Sequence, residues 1–225
     1  IYENIIFDGN VHHSIASLPG MGTRTIIASG FSKTYAWTGG RIGYAVFPSE
    51  EEADIFKNLN INYFSCVPPY NQEAARVALE NPLSSPAVKK MVDTFQQRRD
   101  VIWEKLNCIE GISSQKPGGA FYLFPNISGV CEHLGLIEHH RQKSESQAEQ
   151  TSPAGLFQMF ALYRHRVAVL DRRSFGRFGS EGKHYLRLSI ASDLEVLEEG
   201  VRRLSDAAED VSGMKEFLKN RPDIQ

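Results

Sequence analysis

The chain has 225 residues, enough for one large domain or two small ones with a sizeable core. Its apolar fraction of 41% and charged fraction of 23% are ordinary for a globular protein, and 25 basic against 27 acidic residues give a net charge of −2, with no bulk attraction to nucleic acid or an anionic membrane. No apolar run approaches the roughly 18 residues of a membrane span, no signal-peptide pattern is present, and three scattered cysteines (Cys66, Cys108, Cys131) fit a reducing cytoplasm better than a disulfide framework.

The opening Ile1-Tyr2-Glu3-Asn4-Ile5-Ile6-Phe7 reads as a strand and its exit, so the chain is expected to be part of a longer polypeptide. Arg24 to Ser29 is a β-branched run that predicts a buried strand. Gly30 to Gly40 reads as a loop, and Ile42 to Phe47 as a second strand closed by Pro48. Ser49-Glu50-Glu51-Glu52 is a capping box, opening a helix with Ala53, Phe56 and Leu59 inward. Asn71 to Leu79 predicts another helix. Ser85-Pro86 opens a long one, on which Val88, Met91, Val92, Phe95, Ile102 and Leu106 share a face.

Phe121 to Phe124 is expected to be a strand. His140 to Pro153 is polar, and reads as a surface loop or a disordered insertion. Gly155 to Arg164 returns to helical spacing, and Arg166 to Leu170 predicts a strand. In Tyr185 to Ile190 the alternation puts Leu186, Leu188 and Ile190 on the core and Arg187 on the other face. Ser192-Asp193-Leu194-Glu195 reads as a capping box before a final helix with a Leu194, Leu197, Val201 and Leu204 stripe. Strands alternating with helices make the class α/β or α+β.

The chemistry concentrates in residues 29 to 44. Lys33 follows a strand end, hydroxyls and glycines flank it, and Arg41 comes eight residues later. A lysine nucleophile needs a neutral amine, which partial burial near cations favours. Hydroxyls, backbone amides and an arginine suit a phosphate dianion. An amine for an aldehyde and an arginine for its phosphate together describe a pyridoxal-phosphate site. Taken alone, a lysine in such a loop is most often a solvated surface residue, and Arg41 an ion-paired one.

The stretch Ser29-Gly30-Phe31-Ser32-Lys33, with Thr38-Gly39-Gly40-Arg41-Ile42-Gly43, resembles the signature of class I and II aminotransferases. That resemblance implies Lys33 as the Schiff-base lysine and proton shuttle, Arg41 as the phosphate-binding arginine, and Ser32 with Ser29 as further phosphate contacts. Three other segments are similar in order. Ile1-Tyr2-Glu3 implies a tyrosine on the cofactor ring oxygen, Tyr2. Pro117-Gly118-Gly119-Ala120-Phe121-Tyr122 resembles the start of the small domain's sheet. Ser174-Phe175-Gly176 with Tyr185 to Ser189 implies Arg187 as the arginine for the substrate α-carboxylate. An internal ion pair is the alternative reading for Arg187.

Gly30 stands where many members have serine, and Asp171-Arg172 replace a frequent Pro-Gly. The aspartate expected on the cofactor's ring nitrogen would lie before Ile1.

The resemblance implies the C-terminal part of the type I pyridoxal-phosphate transferase fold. Residues 1–84 would finish a large α/β domain, 85–107 form a connecting helix, and 108–225 form a small α+β domain. It also implies a homodimer with α-amino acid and 2-oxo acid substrates. A carbon–sulfur lyase and a non-catalytic sensing domain remain as alternatives. The pairs His12-His13 and His139-His140 lack metal-ligand spacing, so no metal is expected. Arg172, Arg173 and Arg177 read as a solvated basic loop.

Overall fold

The strands expected over 24–29 and 42–47 form an antiparallel hairpin in the computed structural model, which describes residues 1–176 and 182–221. Strand β1 (Ile27–Gly30) pairs with β2 (Gly43–Val46), in the register Ile27 to Val46 through Gly30 to Gly43. Arg24, expected to begin the strand, instead ends a 3-10 turn (Gly22–Arg24), with a bond from the Thr25 hydroxyl to Met21 O. The hairpin belongs to the first of two units, Ile1–Thr94 with Gly118–Ala120.

Helix α1 (Glu50–Phe64) starts where the capping box predicts, with Ser49 Oγ accepting from Glu52 N at 3.2 Å. Its predicted inner face is not covered within the chain: Phe56 and Leu59 stay 49% and 47% exposed, and Phe56 touches the Phe47 ring at 4.7 Å between centroids. Periodicity marks an apolar face, but burial also needs an element lying over it. Helix α2 (Pro69–Glu80) begins earlier than expected, because Pro69 occupies its first turn, where proline is favoured. The long helix is α3 (Ser84–Asn107), with Arg99, Ile102 and Leu106 buried.

Gly118–Ala120 pair with the opening segment. Phe7 N donates to Gly118 O at 2.9 Å, and Ala120 N to Ile5 O at 2.8 Å. A Cβ on Gly119 would meet Ile5 O at 2.9 Å, so the close backbone approach requires glycine. The same contact leaves Ile5 and Phe7 fully buried.

The second unit, Phe95–Pro117 and Phe121 onward, is built on a three-stranded antiparallel sheet. Its order is β3 (Tyr122–Leu123), β5 (Leu186–Ser189), β4 (Leu170–Asp171). Helices α4 (Ser128–His133), α5 (Leu136–Arg141), α7 (Pro153–Tyr163), α8 (Leu194–Glu209) and α9 (Val211–Asn220) supply the rest of one core. That core is centred on Leu106, Leu123, Phe157, Phe160, Leu186 and Leu204.

Several expectations change here. Residues 140–153 are not a structureless insertion: α5 ends in them and a short helix, α6 (Glu145–Gln150), follows. The His140 ring supplies the reason. Its Nε2 lies 3.2 Å from both Ala148 O, in the last turn of that helix, and Thr151 O just beyond it, and donates to them. The strand expected over 166–170 shrinks to β4, because Arg166 takes a left-handed conformation (φ 57°) and Val167 N turns back to Ala161 O at the end of α7. Asp193 rather than Ser192 occupies the N-cap position of helix α8, with no side-chain capping bond, and α8 is not final, since α9 follows with Asp210 Oδ1 accepting from Gly213 N. Met214 and Phe217 of α9 complete the core.

Among the described residues, no helix is long and apolar enough to cross a membrane. Phe157 is fully buried in the second unit's core. Replacing it with alanine removes a ring from a close-packed interior and is expected to cost about 3–5 kcal/mol. A urea-unfolding midpoint that stays at the wild-type value would contradict this packing.

Candidate active site

Residues 31–42 form the loop of the β1–β2 hairpin. Phe31, only 3% exposed, anchors it. Its ring stacks on Tyr35 at 5.2 Å and meets Trp37 and Tyr44 edge-on at 6.4 and 6.1 Å between centroids. Phe31 N bonds Ile42 O and Trp37 N bonds Phe31 O, closing the loop. Asn71 of α2 donates to Gly40 O at 2.7 Å and fixes the far end. Thr34 is buried, with Asn4 Nδ2 at 3.5 Å from its hydroxyl. With Phe31 and Thr34 turned inward, Ser32 and Lys33 are left half-buried between them.

Lys33 Nζ lies 5.9 Å from the centre of the Tyr2 ring, so the predicted lysine and tyrosine are neighbours. Ser29 is half-buried on β1, with its hydroxyl 3.5 Å from the Glu3 carboxylate. Gly30 explains its own departure from serine: a Cβ there would press on Ile42 O at 3.1 Å and on Gly43 Cα at 3.3 Å. Arg41 is exposed and left-handed (φ 50°), with Nη1 donating to Thr38 O at 3.0 Å. Amine, hydroxyls and guanidinium therefore all belong to this one hairpin, with a phenol beside the amine. That donor set fits an aromatic aldehyde carrying a phosphate.

Arg187 belongs to the second unit. It lies on β5, opposite Leu170 of β4, with Leu186 beside it fully buried. Its guanidinium carbon is 4.5 Å from the centre of the Tyr122 ring and 4.8 Å from that of Phe175. Among the described residues no carboxylate pairs with it, so rings rather than an internal ion pair surround it. Asp171 sets the Phe175 turn. Its Oδ2 accepts from the buried Ser152 hydroxyl at 2.6 Å, its Oδ1 from Arg173 N at 3.2 Å, and its own N–H donates to Gln158 at 2.6 Å. Asp171 thus caps the 3-10 turn Arg172–Phe175 and ties it to α7. Burial first, and then the Asp171 charge, push the Cys131 thiol far above its usual range. Arg172 and Arg173 spend their guanidiniums on the Gly176, Thr151 and Glu149 carbonyls. Arg177, the third member of the predicted basic cluster, lies outside the described residues.

A family model for aminotransferases of class I and II matches residues 1–204. The chain belongs to that family. It is 37% identical over 204 residues to an aspartate aminotransferase of Pyrococcus abyssi, covering 91% of this chain and 46% of that protein. It is 34% identical over 204 residues to aromatic-amino-acid aminotransferase 2 of Thermococcus litoralis, with the same coverage. Among solved structures, an aromatic aminotransferase of Pyrococcus horikoshii superposes with a TM-score of 0.76 at 35% identity, covering 95% of this chain and 50% of that one. The chain spans about half the length of the curated relatives it matches, and its mixed α/β fold is part of the aminotransferase fold.

Single motifs do not reveal the residues that surround these candidate side chains. Glu3, Asn4 and Asn71 contact the hairpin from other segments, and Tyr122 and Phe175 meet Arg187 from separate elements. Tyr35 is another such residue. Burial, helped by the neighbouring Tyr44 phenol and the Glu3 carboxylate, raises its pKa above the usual phenol value. A phenol raised on folding is neutral in the folded state at a pH where the unfolded chain ionises it. Its contribution to stability is therefore complete below the ordinary phenol pKa of about 10 and declines as pH rises through that value towards the folded one. In a spectrophotometric titration, Tyr35→Phe is expected to remove one tyrosinate step lying above the ordinary range. A trace unchanged by the substitution would rule out this environment.

Proposed function

We propose that this chain is the C-terminal part of a pyridoxal-phosphate-dependent aminotransferase that moves an amino group from an α-amino acid to a 2-oxo acid. The observation that carries the reading is the half-buried Lys33 amine beside Tyr2, on a loop whose sequence and family agree. In this reading Lys33 holds the cofactor, and Tyr2 offers its phenol to the ring oxygen. Ser32 and Arg41 take the phosphate. Only one guanidinium N–H of Arg41 is committed to Thr38 O, which leaves others for an anion. Ser29 is the weaker phosphate contact of the two serines, because the Glu3 carboxylate 3.5 Å away repels a dianion.

When bound, the cofactor supplies an electron sink for the substrate's α-carbon. The chain supplies the rest. The Lys33 amine, once released, takes a proton at Nζ and returns it. The Arg187 guanidinium holds the α-carboxylate, and its planar donors fix the orientation of the bond to be broken.

Further parts of the proposal follow the same reading. Residues 1–84 complete a large domain, 85–107 connect, and 108–225 form a small domain. The continuous helix Ser84–Asn107 supports that division. A homodimer is supported by the apolar side chains that α1 and α2 leave exposed, Tyr63, Phe64 and Tyr70 among them. A cytoplasmic location is supported by three free cysteines.

The test is to add pyridoxal phosphate, reduce with borohydride, digest, and find the modified peptide by mass spectrometry. Label is expected on Lys33 and absent from Lys33→Ala. Label spread over surface lysines would overturn the assignment. With an organised site, product analysis distinguishes transamination from carbon–sulfur lysis: a 2-oxo acid and aminated cofactor, against pyruvate, ammonia and a thiol.

A further inference from the structure

We propose that Tyr122 and Phe175 position the Arg187 guanidinium, and that with Phe124 they make this carboxylate subsite selective for aromatic monocarboxylates over dicarboxylates. The inference rests on the reading of Arg187 given above and adds a substrate class to it.

A free arginine side chain has many rotamers, and ordering it for a ligand costs free energy. Here two rings lie within contact of the guanidinium carbon, at 4.5 and 4.8 Å to their centres. Both are held independently of Arg187. Tyr122 is fixed on β3 by its pairing with Ser189. Phe175 is fixed by the Asp171-capped turn and by an edge-on contact with Phe124 at 6.3 Å. Rings contact a guanidinium through its faces and leave its edge, which carries the paired N–H donors, available to a carboxylate.

The same rings decide what accompanies that carboxylate. Tyr185, Phe124 and Phe175 form a continuous run, with Phe124 stacked on Tyr185 at 5.6 Å. Phe124 and Phe175 are 42% and 50% exposed, so an apolar rim borders the cation. A benzyl group beside the carboxylate would cover exposed ring surface. A second carboxylate would lose water against the Phe124 and Phe175 rings, which offer it no donor.

The experiment uses the whole chain with 15N-labelled arginine. Arg187→Lys identifies the Arg187 side-chain NMR signal, which the flanking rings are expected to shift upfield. 3-Phenylpropionate and succinate are then titrated against it. Phenylpropionate is expected to bind about tenfold more tightly, a difference of ~1.4 kcal/mol. Phe175→Leu should move the signal downfield and reduce the preference to about twofold or less, whereas Tyr122→Phe, which keeps a ring, should preserve both. Unchanged backbone amide signals of β5 certify that each variant is folded.

An unshifted wild-type signal, equal binding of the two acids, or a preference that survives Phe175→Leu would overturn the inference while leaving Arg187 as a carboxylate ligand. If neither acid moves the signal, the assignment of Arg187 fails with it. The Lys33 labelling result stands apart from all of these outcomes.

Discussion

The burial of one ring, Phe31, organises the hairpin on which the candidate chemistry depends. The β1–β2 pairing is short, and a two-stranded hairpin by itself is marginal. Phe31 gathers Tyr35, Trp37 and Tyr44 around itself, and so turns a long connection into a small aromatic core with a closed backbone. Once Phe31 and Thr34 are committed inward, the residues between them have little choice of direction. Lys33 is then held near Tyr2, its amine 5.9 Å from the ring centre.

The second unit solves a similar problem with a carboxylate. Asp171 stands where the family resemblance implies proline, and it does different work. It caps the Arg172–Phe175 turn, accepts the Ser152 hydroxyl at the start of α7, and takes Gln158 on its own N–H. Each bond satisfies a polar group that burial would otherwise penalise. Together they place Phe175 against Arg187. A loop whose shape would be set by a rigid proline is here set by a hydrogen-bonded network.

Much of this was legible in the sequence, and for identifiable reasons. The Ser49 capping box, the alternation at Leu186, Leu188 and Ile190, and the long helix bearing Ile102 and Leu106 are local patterns, and local patterns survive folding when no tertiary contact opposes them. The signature around Lys33 was legible because its residues stand close together in the chain. The misreadings have physical causes too. Residues 140–153 look structureless by composition, yet the His140 Nε2 donates to two of their carbonyls, Ala148 O and Thr151 O, which composition does not record. The strand at 166–170 is cut short by a left-handed residue, which periodicity ignores.

By itself the sequence determined the family and the order of the main elements, because each is encoded in residues near one another in the chain. It also determined which face of β5 carries Arg187, because side chains alternate along a strand. Only the tertiary structure decided what those residues meet: Tyr2 beside Lys33, Glu3 beside Ser29, and two aromatic rings rather than a carboxylate on Arg187. Those contacts join segments far apart in the chain. Their existence follows from packing whole elements together, which no local spacing can specify.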